Sequence, residues 1–345
     1  MEYTIWKRGR QLNTIKLMDV TLRDGSYAVD FEFDPEFVTC LLQRLESSRI
    51  DFIEVGHGMG VEAERAGSKA CNLDHEQWAL LARENLNQSR WGFFAQPRFS
   101  TIRTLSNLAD AGMSFVRVGM RADQVQDHLA YLYEAVDKCE HVYLNLMKTS
   151  ATPINAIPRY LEGIPEELAG IYVVDSFGSM IPETVRDYVQ TIIEMNPSVG
   201  FHGHDNLGMA NANSIAAAEA GARLVDGTLN GIGRGSGNAQ IESLATLFKL
   251  QNLGDYEFQN LAHSAEFCRK NLDPLQESRS LEVLGGAFGV HSERFSEVTA
   301  LADEFGLEIA EVMWLEAALS RTQSGEKSLR GLVSISSKTL AAEKL

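Results

Sequence analysis

His202-Gly203-His204 follows the apolar run Val199-Gly200-Phe201, so the whole stretch reads as a β-strand. Side chains alternate along a strand, and both imidazoles therefore project from one face with only Gly203 between them. That is the spacing of a metal-ligand pair, although histidine pairs also occur as hydrogen-bonded core residues. A third ligand is sought in Asp19-Val20-Thr21-Leu22-Arg23-Asp24-Gly25-Ser26, an acidic-basic-acidic cluster at the end of the first predicted strand. The bland reading of that cluster is a turn with an internal ion pair. Charges gathered at a site mouth must pair or bind something, because an unpaired buried carboxylate is costly. Two imidazoles and one carboxylate make a mixed nitrogen and oxygen set that leaves positions for water or substrate, which suits octahedral Mn²⁺ or Mg²⁺.

These residues are far apart in the chain, and the elements between them must bring them together. Short β-branched and apolar runs alternate with longer segments of helical period, the signature of parallel βαβ units. Strand candidates are Ile15 to Thr21, Phe52 to Gly56, Trp91 to Gln96, Phe115 to Gly119, Val142 to Met147, Ile171 to Ser176, Val199 to His204 and Leu224 to Leu229. Eight such units in about 240 residues match an α/β fold of the (β/α)8 TIM-barrel type. An open doubly wound sheet would alternate as well. The barrel is favoured because Asp24, His57, Gln96, Ser176, His202, His204 and Asn230 all fall at or just beyond the C-terminal ends of strands, where barrel sites are built. After the eighth helix, near Asn238 to Gln251, the pattern becomes helical, with candidates at Phe258 to Asn271, Phe295 to Phe305 and Ile309 to Ser320. Residues 13–255 are thus expected to form a catalytic barrel, and residues 256–345 a smaller helical domain suited to a partner or dimer contact. Gly285-Gly286-Ala287-Phe288-Gly289-Val290-His291 reads as a glycine-rich connection that returns His291 to the barrel, and the last dozen residues read as a polar, frayed tail.

Composition bounds the function. The 345 residues are 44% hydrophobic and 23% charged, typical of a chain that buries a sizeable core. With 31 Lys and Arg against 47 Asp and Glu, the net charge of −16 repels polyphosphate and anionic lipid, which argues against nucleic-acid and membrane-surface binding. No apolar run is long enough for a membrane helix and the N-terminal residues lack a signal core, so a cytoplasmic location is expected. Cys40, Cys71, Cys139 and Cys268 include no Cys-x-x-Cys pair and read as reduced core residues.

Four ordered motifs carry a resemblance. Asp19-Val20-Thr21-Leu22-Arg23-Asp24-Gly25-Ser26, Ile53-Glu54-Val55-Gly56-His57-Gly58, His202-Gly203-His204-Asp205-Asn206-Leu207 and Gly231-Ile232-Gly233-Arg234-Gly235-Ser236-Gly237-Asn238-Ala239 resemble the DRE-TIM metallolyase (HMG-CoA lyase-like) superfamily, and within it the 4-hydroxy-2-oxovalerate aldolase family. The resemblance implies a divalent metal, Mn²⁺ foremost with Mg²⁺ or Co²⁺ as alternatives, held by Asp24, His202 and His204. It implies cleavage or formation of a 4-hydroxy-2-oxo acid, with pyruvate, passing through a metal-bound enolate, and an aldehyde as the fragments. Arg23 would place fixed positive charge where negative charge develops, Ser176 and His202 would contact substrate, and Asn238 would orient the metal shell. The helical region would contact an acylating aldehyde dehydrogenase, and the barrel would form a homodimer.

Departures from the family pattern are as informative. Tyr27 stands where the aldolases have histidine, and His291 where they have tyrosine, so the pair has exchanged places across one pocket. Histidine titrates nearer neutrality than tyrosine, which makes His291 the expected base and substrate contact and Tyr27 its hydrogen-bonding partner. Phe177 replaces a small glycine, and Arg234 replaces a small residue in the glycine-rich loop, where it would meet a carboxylate or phosphate or lie solvated. Glycines flank His57, giving it a role near the site. A Claisen-type lyase or synthase joining an acyl-CoA to a 2-oxo acid is the alternative activity. A metal-free Schiff-base aldolase using Lys148 would leave Asp24 and the histidine pair unexplained.

Overall fold

The computed structural model describes residues 14–274, 279–321 and 328–343. Eight strands pair in parallel and in chain order: β1 (Lys16–Asp19), β2 (Phe52–Val55), β3 (Arg90–Ala95), β4 (Phe115–Met120), β5 (Val142–Leu146), β6 (Gly170–Asp175), β7 (Val199–Gly203) and β8 (Leu224–Gly227). Pairing of β1 with β8, Lys16 opposite Leu224 through Asp19 opposite Gly227, closes the barrel. Around it run α1 (Pro35–Ser47), α2 (His75–Asn85), α3 (Ile102–Asp110), α4 (Leu129–Lys138), α5 (Ile157–Tyr160), α6 (Pro182–Ile193), α7 (Ala210–Ala220) and α8 (Ile241–Leu250). Their starts are written in the sequence: the Asp34, Asp74 and Thr101 side chains accept from the first free amides of α1, α2 and α3.

The barrel interior is layered because alternate residues of each strand point inward. Its lower layer is apolar and aromatic: Met18, Phe52, Phe115, Tyr143, Tyr172 and Leu224 form one buried cluster, with Phe52, Phe115 and Tyr143 meeting edge to face. Gly200 makes room for this plug, since a Cβ there would lie 2.4 Å from the Tyr172 ring. Two residues further along the same strands come Glu54, Arg117, Asn145, His202 and Asp226, all buried. A buried aromatic floor therefore supports a charged layer, and the strand ends lie above that layer.

Beyond the barrel, α9 (Phe258–Asn271) packs on α1 and α8 and shares the barrel's outer core through Leu261, Ala265 and Cys268. A second hydrophobic core, including Val298, Leu301, Val312, Met313 and Val333, joins α10 (Arg279–Phe288), α11 (Phe295–Phe305), α12 (Ile309–Arg321) and α13 (Leu329–Glu343). Gly285 to Phe288 close a helix rather than forming a loop, although each glycine costs about 1 kcal/mol relative to alanine in a helix interior. Close approach explains them: a Cβ at Gly285 would sit 2.6 Å from the Phe295 ring, and one at Gly286 would sit 3.1 Å from the Asn206 Cβ. The C-terminal stretch is likewise helical as α13, because Leu329 and Val333 bury one face in the second core. All four cysteines are free, but Cys40 is exposed and Cys71 half-buried, so these two are not core residues. No helix of the described residues is long and apolar enough to cross a membrane.

Candidate functional site

At the C-terminal end of the barrel, Asp24, His202 and His204 converge, with one ligand atom from each lying within 4.8 Å of the others. His202 and His204 come from β7 and its end, and Asp24 from the 3-10 turn that follows β1. Their tautomers are set by what lies behind them. His202 Nδ1 is 2.9 Å from Asp226 Oδ2, and His204 Nδ1 is 3.2 Å from the Gly237 carbonyl oxygen. A carbonyl oxygen and an ionised carboxylate can only accept, so both Nδ1 atoms carry a proton and Nε2 is the nitrogen each ring has left to offer a ligand.

The charged layer below is continuous. Arg23 donates from Nη1 to Asp24 at 2.7 Å and from Nε to Glu54 at 2.6 Å, while its guanidinium lies over the Phe94 ring. Arg117 donates from Nε to Glu54 at 2.7 Å and makes further short contacts with Glu54 and Asp226, and Asp226 in turn holds His202. Asp24, Arg23, Glu54, Arg117, Asp226 and His202 thus form one buried chain that begins and ends on the triad. Burial is the largest influence on Asp24 and opposes its charge, but the Arg23 guanidinium, the two histidines and the Asn238 amide together hold the carboxyl well below the usual carboxylate range. Burial likewise opposes charge on Glu54 and Asp226 most strongly, yet Arg117 together with Arg23 at Glu54, and Arg117 together with His202 at Asp226, leave both titrating low. Burial pushes His204 down to about 3, which keeps it neutral near pH 7.

Three carboxylates and two guanidiniums in this chain leave one buried negative charge in excess. Two imidazoles and an ionised carboxylate, backed by excess negative charge, fit a divalent cation in both donor chemistry and electrostatics. The Asn238 amide donates to Asp24 Oδ2 at 2.7 Å, and its own Oδ1 is buried without a partner among the described residues. Gly233 keeps this corner open, since a Cβ there would lie 2.0 Å from Asn238 Nδ2 and 2.6 Å from Asp24 Oδ2.

His291, extended just after α10, reaches the same mouth and lines a small cavity with Ser176, Phe177, His204 and Arg234. Its ring is 10% exposed, and Nδ1 lies 3.5 Å from Glu293 Oε2. Burial, only partly offset by Glu293, lowers its pKa to about 4. Ser176 Oγ accepts from the Lys148 amide at 2.8 Å. The Tyr27 ring fills the space left by Gly58 and lies under the Arg234 guanidinium at 5.2 Å, in the adjoining groove, and burial pushes its hydroxyl up to about 12.

Other sequence candidates belong to the walls. His57 stacks on Phe31, with Nε2 2.9 Å from the Lys69 carbonyl oxygen and Nδ1 accepting from the Met59 amide, so both ring nitrogens are engaged away from the triad. The Gln96 side chain donates to Met59 and that of Asn230 to Ala265, both structural bonds. The Lys148 ammonium is 2.6 Å from Glu293 Oε1. Sequence reasoning did not single out Glu54, Arg117 and Asp226, although a lone charged residue inside each of Phe-Ile-Glu-Val, Phe-Val-Arg-Val and Leu-Val-Asp-Gly was a readable signal.

Comparison with known proteins identifies the family. Residues 14–268 match the HMGL-like family model. The chain is 30% identical to a 4-hydroxy-2-oxovalerate aldolase of Pectobacterium atrosepticum over 87% of its own length and 89% of the relative. It is 33% identical to one of Spirochaeta aurantia, covering 91% and 94%. It is also 32% identical to an oxaloacetate decarboxylase of Mycobacterium tuberculosis, covering 86% and 89%. Among solved structures, the carboxyl transferase domain of Rhizobium etli pyruvate carboxylase superposes with a TM-score of 0.70 at 15% identity, covering 94% of this chain and 60% of that one, a likeness of fold. Barrel and site together define a lyase of the DRE-TIM type. The chain belongs to the 4-hydroxy-2-oxovalerate aldolase family within that HMG-CoA lyase-like superfamily, whose chemistry is carbon–carbon bond cleavage.

Proposed function

We propose that the protein cleaves, or in reverse forms, a 4-hydroxy-2-oxo acid at its C3–C4 bond, with pyruvate and an aldehyde as the fragments. The observation that carries this reading is a neutral imidazole, His291, in one cavity with His204 and Ser176 beside a triad fit for a metal. When bound by Asp24, His202 and His204, a divalent ion, Mn²⁺ foremost, supplies Lewis acidity toward the oxygens of the 2-oxo acid. Arg23, clamped between Asp24 and Glu54, presents fixed positive charge as the C3–C4 electron pair moves onto the pyruvate fragment. Ser176, anchored by the Lys148 amide, keeps its hydroxyl hydrogen for the substrate carboxylate. His291 holds its proton on Nδ1, facing Glu293, and takes the 4-hydroxyl proton at Nε2, so Glu293 faces the imidazolium that results. Tyr27 orients the hydroxyl side of the substrate from the adjoining groove. The family's homodimer and acylating aldehyde dehydrogenase partner, and a cytoplasmic site of action, belong to the same proposal.

The assignment of the base is tested by separate His291→Ala and Tyr27→Phe variants, each assayed for pyruvate release across pH. Loss of a positioned base is worth about 10²- to 10⁴-fold, so His291→Ala is expected to fall in that range and Tyr27→Phe to lose about tenfold or less. A base must be unprotonated, and with a pKa near 4 His291 stays so well below the ordinary histidine range. The wild-type rate should therefore hold steady as pH falls through 6.5, decline only nearer 4, and lack that limb in His291→Ala. Full turnover in His291→Ala with an inactive Tyr27→Phe would move the base to Tyr27.

The decarboxylase relative supports one competing reading. Loss of CO₂ from oxaloacetate breaks the equivalent C3–C4 bond but needs no base for a 4-hydroxyl. Under that reading His291→Ala keeps its turnover of oxaloacetate, and no hydroxy acid is cleaved.

A further inference from the structure

We infer that Arg234 selects substrates whose aldehyde portion carries an anionic group, a carboxylate one or two carbons beyond the cleaved bond. The inference rests on the aldolase reading and extends it from a reaction to a substrate class. Three observations lead to it.

First, Arg234 stands where the site opens. It lines both the cavity shared by Ser176, His204 and His291 and the wider groove between the barrel mouth and α11, the latter bounded by Tyr27, Leu281, Phe295 and Thr299. Its backbone amide lies 3.3 Å from Asp24 Oδ2, so the residue is tethered to the triad itself. A substrate with its 2-oxo acid end at the triad would extend its other end toward this guanidinium.

Second, the guanidinium is held but not neutralised. Nε donates to Ser292 Oγ at 2.8 Å, and the guanidinium lies over the Tyr27 ring at 5.2 Å. Both contacts fix its plane while leaving the terminal nitrogens as donors. Among the described residues no carboxylate comes within ion-pair distance of it, in a chain with a net charge of −16. Of the acids nearby, Glu293 pairs with Lys148, Asp303 is exposed on the groove rim, and Glu282, which lines the same inner cavity, is held through Oε2 by the Asn206 amide at 2.6 Å and forms no ion pair with Arg234. A fixed, unpaired guanidinium at a pocket junction is an anion-recognition device, because its planar fork matches a carboxylate.

Third, the surroundings favour a polar rather than a bulky occupant. Phe177 and His291 meet edge to face with ring centroids 6.0 Å apart and narrow the inner cavity, so a long apolar tail has no room there, while a compact acid can reach Arg234.

The test compares pyruvate release by the metal-loaded wild-type protein from 4-hydroxy-2-oxopentanoate, which ends in methyl, and from 4-hydroxy-2-oxoglutarate and 4-hydroxy-2-oxoadipate, which end in carboxylate. A charge-assisted bond of this kind is worth about 30-fold. The wild type should prefer one of the diacids by about that factor in kcat/KM, and mostly through KM. Arg234→Met should bring the ratio of diacid to neutral substrate close to one, and Arg234→Lys should restore part of it. A wild type indifferent to the distal charge, or an Arg234→Met variant that keeps the preference, overturns the inference while leaving the aldolase reading in place. An Arg234→Met variant that loses rate on all three substrates in proportion assigns Arg234 a structural role and also overturns it. Release from none of the three substrates removes the aldolase reading, and this inference with it.

Discussion

Arg117→Met is expected to lower the free energy of unfolding by about 3–5 kcal/mol, the cost of stranding buried charges after one partner is removed. Arg117 is fully buried on β4 and, among the described residues, is the one side chain that pairs with both Glu54 and Asp226. Methionine fills similar volume, so little of the loss would come from a cavity. What remains is two carboxylates above an aromatic floor, one of which must take up a proton or draw in water. The exposed pair between Arg49 and Asp255 provides the contrast, since Arg49→Met should change stability by no more than about 1 kcal/mol. Urea denaturation with an unchanged slope and a lower midpoint would register the difference. A loss below about 1 kcal/mol for Arg117→Met would mean that the charged layer is not a coupled unit.

The second large effect is chemical. Asp24→Asn keeps the shape of the side chain but removes the anionic member of the triad and turns an amide toward Asn238 and Arg23, both of which already donate there. Retained metal and metal-supported pyruvate release should each fall by at least about 100-fold, more than the loss of an outer-shell contact usually brings. Stability should move far less than in Arg117→Met, because Arg23 keeps its bond to Glu54. Metal content measured after gel filtration, beside the melting curve, separates the two effects. A variant that keeps its metal and its rate would place the ion elsewhere.

The two variants probe parts of the molecule that differed in how openly the sequence declared them. The barrel was legible because each strand is a short apolar run and most of the helices between them carry an apolar stripe, and the predicted strands lie within a residue or two of those formed. The histidine pair and Asp24 were legible because alternation and position at a strand end place them on one mouth. The charged layer was harder to see. Glu54, Arg117 and Asp226 are separated by tens of residues, and their pairing follows from the register of β2, β4 and β8 around a closed barrel rather than from local spacing. Helices α10 and α13 were misread for a related reason. The paired glycines of α10 and the polar residues of α13 oppose helix locally, and packing on Phe295, Asn206 and the second core decides the outcome. The place of His57 is a third case: flanking glycines marked it as part of the site, whereas its ring bonds turn it into a wall behind Tyr27 and Phe31.

The most direct test of the central reading is pyruvate release from the hydroxy acids above by protein stripped with a chelator and then reloaded with Mn²⁺. Release that vanishes on stripping and returns with the ion, in the wild type and not in Asp24→Asn, is the predicted result. Release that survives stripping, or pyruvate formed from oxaloacetate and from no hydroxy acid, would contradict it.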